Sequence, residues 1–116
     1  MLPRSYLYVP ADNSRFLEKA ESSPADAIIL DLEDGVSLQR KEIARENAYS
    51  FLERSHRNYI TLRVNPDSAT LERHLINHSA VKKVFLPKAD NPEMIEEFIV
   101  STQCLKPLAI LVESAV

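Results

Sequence analysis

Five short apolar runs set the limits on what this chain can become. They are "YLYVP" (6–10), "AIILDL" (27–32), "YITLRV" (59–64), "VKKVFLP" (81–87) and "LAILVE" (108–113). Each is 5 to 7 residues long and rich in Ile, Val, Leu, Tyr and Phe. That length and composition suit buried strands better than helices. Their C-terminal exits fall near residues 10, 34, 65, 88 and 113, so successive exits lie 24, 31, 23 and 25 residues apart. Each interval holds one strand and one crossover helix. Such alternation implies a parallel sheet with right-handed crossovers.

The segments between the runs read as helices. "NSRFLEKAES" (13–22) carries Phe16, Leu17 and Ala20 at helical spacing, with Asn13 or Ser14 as N-cap. "SLQRKEIARENAYSFLERS" (37–55) places Leu38, Ile43, Ala44, Ala48, Phe51 and Leu52 on one face and starts without a capping box. "DSATLERHLIN" (67–77) and "NPEMIEEFIVSTQ" (91–103) follow, the latter with Asn91 as N-cap and Pro92 at the first helical position. No linker or low-complexity segment interrupts the pattern, so one domain is expected over residues 1–116.

Two architectures fit: a doubly wound sheet with helices on both faces, or part of a (β/α)8 barrel. A full barrel takes about 250 residues, and this chain has 116. It also stops at "LVESAV", directly after the fifth run. Parallel strands are normally buried on both faces, so the end is expected to be a truncation after the fifth strand, with both architectures still open.

Composition removes several function classes. A net charge of −3 gives no basic surface for nucleic acid. No apolar run reaches the roughly 18 residues of a membrane span, and "MLPRSYLYVP" lacks a signal peptide's apolar stretch. The single cysteine, Cys104, cannot form an internal disulfide, which fits a reducing, cytoplasmic setting. Gly35 is the only glycine, so phosphate-cradling glycine loops are absent.

In either parallel architecture chemistry collects where strands exit. Here every exit is polar: Asp12 and Asn13; Asp31, Glu33 and Asp34; Arg63 and Asn65; Lys88; Glu113 and Ser114. Alternation puts Asp31 with Glu33, and Arg63 with Asn65, on one side of their strands. The plain structural reading is that such residues serve loops and caps, Asp34 as the cap of the next helix and Lys88 as a solvated loop residue. Arg63 and Glu113 lie late within apolar strands, where an unpaired charge is costly. Their plain reading is a mutual ion pair. His74 and His78 have metal-pair spacing but no HExxH pattern, and a solvated helix face explains them, as it does His56.

Five motifs in order, "RSYLYVPADN", "ADAIILDLEDGV" with "KEIAREN", "LRVN", "LPKAD" and "LVES", resemble the citrate lyase β-subunit-like proteins of the HpcH/HpaI aldolase superfamily. The resemblance runs the length of the chain. One departure is Ala11, where that family usually has glycine, in a loop that helps hold the acyl-carrier or coenzyme A portion of the substrate. The resemblance implies the N-terminal part of a (β/α)8 TIM barrel, with about five parallel strands in sequential order. It implies a magnesium-dependent retro-aldol lyase that splits citryl, malyl or citramalyl thioesters into an acetyl-type thioester and a keto acid. It implies Mg2+ held by Glu113 together with an aspartate from a later strand that these 116 residues do not include. Glu113 also contacts substrate in this reading. Arg63 binds substrate and stabilises the thioester enolate, and Glu33 and Asp34 hold the metal's waters or the arginine. A homo-oligomer, trimer or hexamer, is implied as well. Lys88 matches the family's "PK" pair without a role that chemistry assigns. The competing readings are a noncatalytic barrel fragment and a doubly wound regulatory domain of the phosphoacceptor type. The latter expects an acid pair after the first strand and an acceptor aspartate after the third, where this chain has only Asp12 and then Arg63 and Asn65.

Overall fold

The computed structural model describes residues 3–87 and 92–111. Strands β1 (Tyr6–Pro10), β2 (Ala27–Asp31), β3 (Ile60–Arg63), β4 (Val81–Pro87) and β5 (Leu108–Leu111) form one sheet in the order β1-β2-β3-β4-β5. Every neighbouring pair is parallel. Four helices cross between them: α1 (Ser14–Glu21), α2 (Lys41–Arg54), α3 (Arg73–Ile76) and α4 (Pro92–Thr102). Asn13 caps α1, its Oδ1 accepting from the Phe16 amide at 3.1 Å.

The helices cover one face of the sheet. Val9, Ile28, Leu30, Leu32, Ile60, Leu62, Val64, Val84 and Leu86 join one core with Leu17 and Ala20 of α1, Ala44, Ala48, Phe51 and Leu52 of α2, Leu75 and Ile76 of α3, and Phe98 of α4. The alternate strand residues point the other way. On that second face the Tyr6 ring meets Phe85 edge-on, centroids 6.0 Å apart, reaching from β1 to β4 over the two strands between. A doubly wound domain needs helices on both faces. Sequential order with one helical face is the arrangement of barrel strands, and it sets the doubly wound alternative aside.

Three local differences from the sequence reading have physical causes. Leu38 and Ile43 are exposed at 83% and 41%. Leu38 belongs to a separate 3-10 turn, Leu38–Arg40, and Ile43 sits one residue off the stripe Ala44, Ala48, Phe51 and Leu52. The segment expected to be one helix over 67–77 is 3-10 over Pro66–Glu72 and α only over Arg73–Ile76. The 3-10 part is broken by a kink at Ser68, and the buried residues of the whole segment are Ala69, Glu72, Leu75 and Ile76. In β4 a register shift opposite Ile60 and Thr61 re-phases the strand, so that Val81, Val84 and Leu86 all face the core. Asn91, expected as the α4 cap, lies outside the described residues.

Arg57 ties α1 to β2. Its Nη1 donates to the carbonyls of Ala20, Glu21 and Ser23 at 2.9, 3.2 and 2.9 Å, and its Nη2 donates to Ala25. These carbonyls end α1 and lead into β2, where helix-end acceptors lack partners of their own. Arg57→Lys keeps the charge but loses the planar fork. A loss of about 1–3 kcal/mol is expected, read as a lowered urea midpoint with an unchanged slope.

Candidate active site

Asp31 ends β2 on the face away from the helices, only 4% exposed. The parallel register sets it opposite Arg63, the last residue of β3. Its carboxylate takes four hydrogen bonds. Oδ1 accepts from the Glu33 amide at 2.9 Å and Arg63 Nε at 3.0 Å. Oδ2 accepts from the Gly35 amide at 2.9 Å and Arg63 Nη2 at 2.7 Å. Two parallel N–H donors from one guanidinium are the strong form of ion pair. A nearly buried carboxylate is tolerated here because each oxygen has charged and neutral donors. The Asp31 hydrogen bond also raises the Arg63 pKa further, keeping the guanidinium charged. Arg63 lies over the Tyr8 ring, 5.2 Å from its centroid, a cation–π contact that fixes the other side of the fork.

The chain's only glycine is explained by this carboxylate. A Cβ at Gly35 would stand 2.4 Å from Asp31 Oδ2. The backbone passes so close to the acid that no side chain fits. The tight turn this permits brings Glu33 and Asp34 to the strand exit. Glu33 is 6% exposed, and its Oε2 is buried without a hydrogen-bond partner. Burial pushes its carboxyl up to about 7, and a hydrogen bond and like charge from Asp34 add to the rise, while Arg63 opposes it.

The mouth therefore gathers Asp31, Glu33, Asp34 and Arg63, all singled out at strand exits. Asn65 is half-buried just beyond Arg63, beside a cavity of about 520 Å3 that Lys41, Arg45 and Ser68 also line. Asp12 is taken by Arg40, whose Nε donates to its Oδ2 at 2.7 Å, and Asn13 by the α1 cap. The helical starts at Leu38 and Lys41 have no side-chain cap, so the capping role considered for Asp34 is not found. Glu113, Lys88 and Ser114 lie outside the described residues, and with them the Arg63–Glu113 ion pair. His78 accepts from the Ala80 amide at its Nδ1 and lies 3.5 Å from Glu53, whereas His74 and His56 are exposed.

Among the described residues no group of three or more His, Cys, Asp or Glu is placed to hold a metal ion. Glu33 and Asp34 nevertheless fit the edge of a magnesium site. They offer hard oxygens, and an unpartnered buried carboxylate oxygen beside a second carboxyl is the electrostatic state that a nearby cation relieves.

Two charged residues went unread in the sequence. Glu72 is fully buried, pairs with Arg45 at 3.3 Å, and is raised to about 7 by burial. Lys41 donates to the carbonyls of Leu32 and Glu33. The only sequence signal was i, i+4 spacing of Lys41 and Arg45 within "KEIAREN".

Comparison with known proteins fits this geometry. The family described as HpcH/HpaI aldolase/citrate lyase matches residues 4–108. A (3S)-malyl-CoA thioesterase of Cereibacter sphaeroides is 54% identical over 43 residues, which is 37% of this chain and 15% of that protein. The mitochondrial citramalyl-CoA lyase of Homo sapiens is 32% identical over 102 residues, covering 82% of this chain and 30% of that protein. The citrate lyase beta subunit of M. tuberculosis, solved with oxaloacetate and magnesium, superposes with a TM-score of 0.70 at 31% identity, over 95% of this chain and 47% of that one. The chain thus spans less than half the length of each. Among the described residues no helix is long and apolar enough to cross a membrane.

Two outcomes follow from the Asp31 cluster. Gly35→Ala drives a methyl into a carboxylate held by four donors, and a loss of about 1–3 kcal/mol is expected, together with a shifted Arg63 Nε–H resonance by NMR. The second concerns pH in metal-free buffer. An acid whose folded pKa lies above its unfolded value binds its proton more tightly when folded. Stability from Glu33 is therefore fully present below about 4.5 and lost as pH rises toward 7. Glu72 acts in the same direction. Urea midpoints should fall over that window in the wild type and fall less in Glu33→Gln and in Glu72→Gln.

Proposed function

The chain belongs to the HpcH/HpaI aldolase/citrate lyase family, and we propose that it supplies the first five strands of a barrel lyase that cleaves a carbon–carbon bond in a 3-hydroxyacyl thioester. The observation that supports this most is the forked Arg63 beside the Glu33–Asp34 turn at one mouth. The substrate class is a citryl, malyl or citramalyl thioester, carried on coenzyme A or an acyl carrier. The working protein is a cytoplasmic homo-oligomer with neither nucleic acid nor membrane as partner.

Cleavage removes the hydroxyl proton, and the carbon–carbon bond pair passes to the thioester fragment as an enolate. Protonation of that enolate carbon gives the acetyl-type thioester, and the other fragment leaves as a keto acid. Negative charge develops on the thioester oxygen. Arg63, held by Asp31 and Tyr8 before substrate arrives, presents a fixed guanidinium to it. The same planar group can bind a substrate carboxylate. Burial and Asp34 raise Glu33 to about 7 in the metal-free chain, and a cation bound beside it would draw it back toward its charged form. Glu113 would hold Mg2+ and contact substrate, and Glu33 and Asp34 would hold the ion's waters or Arg63. The ion supplies Lewis-acid polarisation of the substrate's oxygens when bound.

The test is keto-acid release from the three thioesters, with magnesium, by the longest polypeptide that the gene encodes. Cleavage of at least one is expected, and failure on all three would overturn the reading. Arg63→Lys should lower kcat by about 10²–10³, with circular dichroism still showing a folded chain. The 116 residues by themselves are expected to give no turnover.

A further inference from the structure

Helix α2 opens with two cations one turn apart, Lys41 and Arg45. Four-residue spacing puts both on one side of the helix. Each reaches a segment that leaves a strand at the mouth. Lys41 Nζ donates to the carbonyls of Leu32 at 2.8 Å and Glu33 at 2.5 Å, the peptide links that carry the acid turn. Arg45 Nε lies 3.3 Å from Glu72 Oε2. Glu72 closes the 3-10 segment that follows Arg63 and Asn65, and it is fully buried. The charges of Arg45 and Lys41 both act on that carboxyl, so the three groups form one electrostatic unit.

The acid turn is thus gripped from two directions. Its amides at Glu33 and Gly35 are taken by Asp31 on the sheet face that carries Arg63. Its carbonyls at Leu32 and Glu33 are taken by Lys41 from the helix side. A lysine that merely decorated a helix end would be solvated. This one is half-buried and spends its ammonium on main-chain oxygens eight and nine residues back. Arg45 is held likewise, with only 18% of its side chain exposed, on a carboxylate with no exposure at all.

We propose that Lys41 and Arg45, acting through the Leu32 and Glu33 carbonyls and through Glu72, are a positioning clamp that fixes the Glu33–Asp34 turn relative to the segment leaving Arg63. Neither touches substrate. Catalytic groups must stay within about 0.5 Å of their working geometry; the turn is also tied by the Val36 amide to the Glu33 carbonyl and by the Leu32 amide to the Arg63 carbonyl, and Lys41 adds the hold from the helix side. The effect on turnover rests on the lyase reading above; the clamp itself does not.

The test begins with amide hydrogen exchange on the 116-residue protein. Lys41→Met should speed exchange of the Glu33 and Gly35 amides at least tenfold, with the β3 amides of Ile60 and Leu62 unchanged. Lys41→Arg, which still donates, should restore protection. Unchanged turn amides, or equal acceleration at every amide, overturns the clamp. In the longest encoded polypeptide, Lys41→Met should lower kcat about tenfold or more with KM nearly constant. Turn amides that loosen while kcat holds would overturn the clamp's role in positioning for catalysis. A wild type without turnover would overturn the lyase reading alone, and the exchange result would still decide the clamp.

Discussion

The carboxylate of Asp31 is the point on which the mouth of this half-barrel depends. A buried anion at a strand end is unfavourable unless its lone pairs are filled. Here four donors fill them, two from Arg63 and two from the turn amides. Meeting that requirement fixes three other things. Arg63 must lie in register with Asp31 across β2 and β3, which it does. The chain after β2 must fold back tightly enough to present two amides within four residues. The residue at position 35 must have no side chain. The sole glycine, the acid turn and the orientation of the guanidinium are consequences of one desolvated charge.

Much of the fold was legible because burial writes it directly into composition. The runs at 6–10 and 81–87 coincide with β1 and β4 residue for residue, although Tyr6, Leu7 and Tyr8 of β1 are exposed. The spacing of exits carried the alternation of strand and crossover helix, while the sequential order was implied by the family resemblance. Barrel and doubly wound sheet share that spacing. What separates them is which face the helices cover, a property of three dimensions that five apolar runs do not encode. Where the period itself changed, the reading missed. The 3-10 stretch over Pro66–Glu72 buries an acid at one of its core positions, so a search for apolar residues at 3.6-residue spacing finds nothing wrong with a helix there.

At the site, the sequence marked the residues but not their partners. Arg63 was legible as a charge too deep in a strand to go unpaired. The counter-ion the pattern suggests for it is Glu113, and Asp31 is marked only as a strand-exit acid on the same side as Glu33. Strand register decides for Asp31 among the described residues. Lys41 and Glu72 were invisible for a related reason. A lysine in the first turn of a helix and a glutamate in a polar segment each look solvated until the main-chain oxygens or the guanidinium they meet are known. Pairing that relies on backbone carbonyls has no sequence partner to find.

The three acids at the exit of β2, Asp31, Glu33 and Asp34, lie within four residues, yet their surroundings differ. Asp31 has both oxygens occupied by cationic and amide donors, so it is suited to hold geometry. Glu33 is the opposite case. One of its oxygens is buried with no partner, and burial with Asp34 alongside lifts it to about 7. Without a cation its charged form is disfavoured, because burial removes water from it and supplies Oε2 no donor in its place. Asp31 acts on Glu33 in two ways: its carboxylate accepts from the Glu33 amide, which fixes the turn, and its negative charge adds to the rise of the Glu33 carboxyl.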